Sequence, residues 1–164
     1  MRTFFISDTH FGHFNIIRYE DRPFQTTEEM DREIIKRWNE TVGKKDTVWM
    51  LGDFCLSNRA RIREIVKQLN GNKNLIIGNH DRYTPSFYEE CGFQYVSKYP
   101  VILKQHFILS HAPLDQMNKN NDFFYIYGHI HGDPNFETST ENSRCVCCER
   151  QAYRPIQIEE FNKF

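Results

Sequence analysis

Apolar positions along this chain follow two rhythms that take turns. Arg2 to Ser7 is a short apolar run that reads as a strand, and Thr27 to Glu40 then sets Met30, Ile34 and Trp38 on one helical stripe, with Thr26 or Thr27 available as N-cap. Asp46 to Leu51 returns to strand. Asn58 to Leu69 repeats the helical spacing through Ile62, Ile65, Val66 and Leu69, and Asn70-Gly71 offers a C-terminal stop before a strand at Asn74 to Ile77. The first half therefore alternates β and α.

The second half is richer in strands. Tyr95 to Lys98, Val101 to Leu103, Phe107 to Ser110 and Phe123 to Tyr127 are short β-branched or aromatic runs between turn residues, with Gln105-His106 in or beside a hairpin turn. After a polar loop from about Asp133 to Ser143, Arg144 to Glu149 reads as a strand with Cys145 and Cys147 on one face and Cys148 on the other. A segment from Tyr153 to Ile158 is expected to complete a second sheet, followed by a short helical tail. The expected architecture is α/β, with two packed sheets and helices outside.

Composition narrows the picture. At 164 residues the chain suits one domain, 1–164, with a core large enough to need no staple, and its 14 Phe and 8 Tyr supply the apolar bulk. A net charge of -1 excludes a generally basic surface for polyanions and leaves only a local basic cleft. No apolar run approaches the roughly 20 residues a membrane span needs, and nothing reads as a signal peptide, so a cytoplasmic location is expected. Five cysteines form an odd set without framework spacing. They are expected to be free thiols, with Cys55 and Cys91 as small buried apolar residues. Cys145, Cys147 and Cys148 lack the second ligand pair of a structural zinc site and read as structural.

Chemistry gathers just after the expected strands: Asp8-Thr9-His10, Gly52-Asp53, Gly78-Asn79-His80-Asp81, Ser110-His111 and Gly128-His129-Ile130-His131. Ligands distant in the chain converge beyond the carboxyl ends of strands in an open α/β sheet. Six of the seven histidines fall in or beside these junctions, which a chance scatter would not favour. The two-residue offset within Asp8-x-His10 and His129-x-His131 puts both side chains on one side of an extended segment, and a turn can also swing them toward one ion. Two carboxylates, one amide and four imidazoles exceed what one ion takes but suit two ions sharing a bridge, for which Asp53 is the natural residue.

In this order and spacing, D-x-H, G-D, G-N-H-D, a lone H and G-H-x-H resemble the calcineurin-like metallophosphoesterase superfamily across Asp8 to His131, about three quarters of the chain. The stretch Asp8 to Ile17 is similar to a branch of small bacterial and phage-type members. The resemblance implies a four-layer α/β/β/α sandwich of two mixed sheets flanked by helices, and a dinuclear hydrolytic centre. It implies that Asp8, His10, Asp53 and His131 surround one metal, that Asp53, Asn79, His111 and His129 surround the other, and that His80 stays off both.

Nitrogen and oxygen ligation without thiolate suits Mn, Fe, Co, Ni or Zn without choosing among them. Two such ions about 3.5–4 Å apart acidify a bridging water and offset charge on the phosphate. His80, oriented by the neighbouring Asp81 carboxylate, is the candidate proton donor to the leaving group. His13, Arg18, Arg82 and the Asn79 amide are candidates to contact substrate phosphate, with Arg18 and Arg82 also readable as solvated surface arginines.

The expected function is hydrolysis of a small phosphodiester, with phosphomonoesters also open. Two other readings stand beside it: a noncatalytic interaction domain on the same sandwich, which should have lost ligands, and a nuclease, which should add a basic track or a stacking platform.

Overall fold

The computed structural model describes residues 1–114, 122–134 and 139–163, so the expected polar loop from Asp133 to Ser143 lies partly outside the described residues. The first half runs β1 (Thr3–Ile6), α1 (Phe14–Tyr19), α2 (Thr27–Thr41), β2 (Thr47–Met50), α3 (Arg59–Gln68), β3 (Asn72–Ile76), α4 (Pro85–Cys91) and β4 (Phe93–Ser97). The second half adds β5 (Val101–Leu103), β6 (Phe107–Leu109), β7 (Phe124–Tyr127), β8 (Ser139–Thr140), β9 (Ser143–Cys145) and β10 (Ile156–Gln157).

Local chemistry sets the helix boundaries. Thr26 Oγ1 accepts the Glu29 amide at 3.1 Å to open α2, and Asn58 Oδ1 accepts the Arg61 amide at 2.9 Å to open α3, each satisfying an amide that has no partner within its helix. In α4, Thr84 caps, Pro85 fits the first turn where its missing N–H is harmless, and Gly92 ends the helix at φ 117°. These cap signals mark α4 in a stretch where seven residues are too few to show periodicity. The same shortness hides the six residues of α1.

Strands β1 to β4 form a parallel sheet in the order β10-β1-β2-β3-β4, with β10 antiparallel at the edge. The second sheet, β5-β6-β7-β9-β8, is parallel at its centre and antiparallel at both edges. Both sheets are thus mixed, and with the flanking helices they make the expected α/β sandwich.

Side chains alternate across the sheets as the pleat requires. Phe4, Ile6, Val48, Met50 and Leu75 meet Met30, Ile34, Trp38, Ile62 and Ile65 from the helices. Phe5, Trp49, Leu51 and Ile76 instead face Leu109, Ile126 and Val146 between the sheets. Tyr125, Tyr127, Cys145 and Cys147 form a third cluster with Leu114, Phe123 and Ile130.

Two expectations need correcting beyond residue 143. The Arg144 to Glu149 strand stops at Cys145, because Cys148–Gln151 winds into a 3-10 turn, although Cys145 and Cys147 do lie on one side with their Sγ atoms 3.4 Å apart. The segment after Tyr153 does not join the second sheet. Left-handed Ala152 and Tyr153 (φ 50° and 58°) turn the chain back, so that β10 pairs with β1 in the first sheet. The expected short helical tail is a 3-10 helix at Ile158–Lys163.

Burial separates two isoleucines that are alike in sequence. Ile34 is fully buried while Ile102 is 62% exposed. Ile34→Ala should lose about 2–5 kcal/mol of unfolding free energy from lost transfer energy and a residual cavity. Ile102→Ala should change it by no more than about 0.5 kcal/mol. Urea unfolding, read as a shift in midpoint at constant slope, checks both.

Candidate metal centre

Beyond β1 and β2 the two chains go on running side by side. Asp8 N donates to Gly52 O (3.0 Å), His10 N to Asp53 O (2.9 Å), Phe11 N to Phe54 O (2.9 Å) and Leu56 N to Phe11 O (2.9 Å). Ser7 Oγ and Thr9 Oγ1 add bonds to Leu51 O and Phe54 O, each 2.8 Å. The second sheet is stitched to the same edge, where Ser7 N donates to Val146 O (2.8 Å) and Cys148 N to Ser7 O (3.0 Å). All five strand-end motifs therefore meet at one place.

They do so through unusual backbone. Asp8, His10, Asp53, His129 and His131 all have positive φ, at 58°, 49°, 53°, 73° and 46°. Left-handed conformation is uncommon outside glycine, although Asp and His tolerate it better than most residues, and each such residue stores about 1–3 kcal/mol of strain. The paired ligands reach inward by this turning rather than along an extended segment.

The side chains fall into two sets. In one, Asp8 Oδ1 lies 3.6 Å from His131 Nε2 and 4.0 Å from His10 Nε2, which is 3.6 Å from Asp53 Oδ2. In the other, His111 Nε2 lies 2.8 Å from Asn79 Oδ1, 3.2 Å from His129 Nδ1 and 3.5 Å from that same Asp53 Oδ2. Asp8, His10 and His131 can hold one ion, and Asp53, His111 and His129 another.

The donors fit cations. Asp8 Oδ1 and His10 Nε2 are buried without a hydrogen-bond partner, a state that ordinarily costs about 1–3 kcal/mol and that a metal ion would relieve. The other oxygen of Asp8 is occupied by the His129 amide (2.8 Å) and the Cys147 thiol (3.3 Å). His111 Nδ1 donates to Leu51 O at 2.8 Å, which leaves Nε2 to face the site.

Charge states follow the same logic. Burial drives His10 down to about 3, so its ring is a neutral donor. Burial also opposes a charged His111, but the hydrogen bond to Asp53 and the charges of Asp8 and Asp53 outweigh it and hold the ring at about 9. A field that favours an imidazolium there favours a metal cation for the same reason. Burial raises Asp53 too, yet His111 and the His80 amide pull it to about 2.

Around these sets lie the remaining candidates. His80 is exposed, its ring centroid 5.5 Å from that of His10, and its amide donates to Asp53 Oδ1 at 2.8 Å. Asp81 corrects an expectation. Its carboxylate does not reach the His80 ring but accepts the amides of Asp53 (2.9 Å), Phe54 (3.0 Å) and Gly78 (2.9 Å). Buried, it holds together the two loops that carry Asp53 and Asn79, and burial lifts its pKa to about 6 against those amides.

His13 Nδ1 sits 3.3 Å from His10 Nδ1. Arg82 is exposed, and Arg18, also exposed, lies over the Phe14 ring at 5.6 Å. The sequence reading missed Arg22, Cys147 and Glu149, which touch the ligand loops from behind. No local sequence signal marks Arg22 or Glu149, because their meeting is made by the fold across 127 residues.

Comparison with known proteins places the chain. Residues 1–156 match the family model of the calcineurin-like phosphoesterases. An uncharacterized protein of Methanocaldococcus jannaschii is 37% identical over 96% of this chain and 88% of its own. The gene 66 protein of Mycobacterium phage L5 is 39% identical over 48% of this chain and 39% of its own. A protein of unknown function from Aquifex aeolicus superposes with a TM-score of 0.73 at 25% identity, covering 99% and 98% of the two chains. Pseudomonas putida nuclease MPE shares the fold with a TM-score of 0.54 at 23% identity, over 79% of this chain and 62% of its own.

Gly128 tests how tightly the site is built. A Cβ there would collide with Ser7 Oγ and Asp8 Oδ2. Gly128→Ala should therefore displace Asp8 and lower both unfolding temperature and metal uptake, whereas alanine at Gly132, whose Cβ would meet nothing closer than Glu20 Oε2 at 3.5 Å, should leave both near wild type. Differential scanning calorimetry and elemental analysis read the two effects.

Proposed function

The chain belongs to the calcineurin-like phosphoesterase family, and on that premise we propose that it hydrolyses phosphodiester bonds of small substrates with the help of two divalent transition-metal ions. The observation that carries this reading is Asp53 Oδ2, which lies 3.6 Å from His10 Nε2 and 3.5 Å from His111 Nε2 and so belongs to both donor sets. Asp8, His10, Asp53 and His131 would hold one ion, and Asp53, Asn79, His111 and His129 the other. Mn, Fe, Co, Ni and Zn all suit this donor chemistry. When bound, such ions supply Lewis acidity toward phosphate and make water nucleophilic near neutral pH.

The protein's own groups do the rest. His80, exposed beside His10, is placed to give a proton to the leaving oxygen, and its amide bond to Asp53 Oδ1 fixes the start of its side chain. Asp81 acts on the site through backbone, by holding the amides of Asp53, Phe54 and Gly78. His13, Arg18 and Arg82 are assigned to the substrate phosphate, His13 being the one in contact with a ligand residue. The intact donor set weighs against a noncatalytic interaction domain. No described helix is long and apolar enough to cross a membrane.

A nucleic-acid strand is the second reading. Phe14 and Tyr19 on α1 are 47% and 72% exposed, and the Tyr19 ring lies 6.5 Å from that of His13. Aromatic faces of this kind stack on bases. The near-neutral charge of the chain keeps this reading second.

Stripping the metal should abolish hydrolysis of chromogenic phosphodiesters, and Mn, Ni or Zn added back singly should restore it. Full activity in a verified metal-free preparation would end the proposal. Asp53→Asn should weaken both ions, whereas His80→Ala should keep metal content near wild type and slow turnover by about 10²–10⁴-fold, most for poor leaving groups. Metal analysis beside leaving-group kinetics distinguishes the two variants.

A further inference from the structure

The segment beyond His131 carries no metal motif, yet the 3-10 turn at Cys148–Gln151 returns to the site from behind. Glu149 Oε1 lies 3.1 Å from His131 Nδ1, on the far side of the ring from Asp8. The same oxygen accepts Arg22 Nε at 2.9 Å and is also bound by Arg22 Nη2. The Arg22 side chain is fully buried. It also donates to Met30 Sδ (3.4 Å, from Nη1), to Thr9 O (2.9 Å, from Nη1) and to Asp8 O (2.7 Å, from Nη2), the two carbonyls belonging to the left-handed turn that presents Asp8 and His10. Cys148 Sγ adds a contact to Asp8 O at 3.1 Å, and Arg150 Nε donates to His131 O.

We infer that Glu149, anchored by Arg22, is a positioning residue that fixes the proton of His131 on Nδ1 and thereby turns the Nε2 lone pair toward Asp8 Oδ1. The inference rests on the dinuclear reading above. A carboxylate can only accept at this contact, so the hydrogen must sit on Nδ1, and Nε2, 3.6 Å from Asp8 Oδ1, is left as a donor atom for a cation. With the opposite tautomer an N–H would point at the ion and exclude it.

Arg22 makes the arrangement affordable in a buried place by neutralising Glu149. Arg22 Nε and Nη2 both donate to the Glu149 oxygen that faces His131, and a carboxylate so paired stays an acceptor. A buried ion pair on its own adds little net stability. Here the pair also binds one ligand ring and the carbonyls of Asp8 and Thr9, which a purely structural pair would have no need to reach. Two loops far apart in sequence, at Asp8-Thr9-His10 and at His131, are thereby held in one register by a single guanidinium and a single carboxylate.

The test compares wild type with Glu149→Leu and Glu149→Gln. Titrating Mn²⁺ into metal-free protein should show two ions in wild type. Glu149→Leu should weaken one of them about 10–100-fold and the other by no more than about threefold. Glu149→Gln, whose amide oxygen can still accept the ring N–H, should fall between. In metal-free samples ¹⁵N NMR of His131 should report a proton on Nδ1 in wild type and Glu149→Gln but not in Glu149→Leu, and thermal unfolding of the same samples confirms that each variant is folded. Wild type binding fewer than two ions overturns the dinuclear reading, whatever the variants do. Two ions in wild type, with Glu149→Leu matching it in affinity and in the His131 signals, overturns the role of Glu149 alone. Equal weakening of both ions with the His131 tautomer unchanged overturns it as well.

Discussion

Five of the residues that face the candidate centre sit in left-handed backbone, and the surroundings are organised around keeping them there. Strained residues persist only when neighbouring structure over-determines them. Here the restraint is buried hydrogen bonding. Ser7 and Thr9 hydroxyls tie the first ligand loop to the second, Asp81 ties the second to the third, and Arg22 spans the carbonyls of Asp8 and Thr9. None of these groups needs to touch a cation to matter, because each fixes a peptide whose side chain would.

Electrostatics follows from the same crowding. Asp8, Asp53, Asp81 and Glu149 are all withdrawn from water within a small volume, and burial pushes each toward protonation. Asp81 is balanced by amides and Glu149 by a cation. Asp8 and Asp53 are left with histidines, and Asp8 Oδ1 has no hydrogen bond. The unbalanced negative potential is therefore localised where the two donor sets meet, which is where divalent ions would gain most.

Much of this was legible in the sequence because the signals were local. The long helices α2 and α3 show their apolar stripes and caps, and the ligands advertise themselves by falling after strand-like runs. The short α1 and α4 escaped periodicity, and only the Thr84-Pro85 cap and Gly92 stop marked the latter. Asp81 was found for the wrong reason, since adjacency to His80 along the chain says nothing of where its carboxylate points. Glu149 and Arg22 were invisible because their partners lie 18 and 127 residues away, and no local pattern encodes such a meeting. The placement of β10 failed for the same reason, because the left-handed pair Ala152-Tyr153 redirects the chain where neither residue type announces a turn.

The return of β10 to β1 has a bearing on how the chain folds. Phe5 pairs with Ile156, so the first strand of the chain is flanked on one side by residues made about 150 positions later. Contacts so distant in sequence are slow to form, since a long loop must close before they give anything back. During synthesis β1 and β2 could zip together early, while the edge of β1 waited on the ribosome for its last neighbour and the turn carrying Glu149 arrived almost as late. Metal capture would then mark the completion of folding rather than its nucleation.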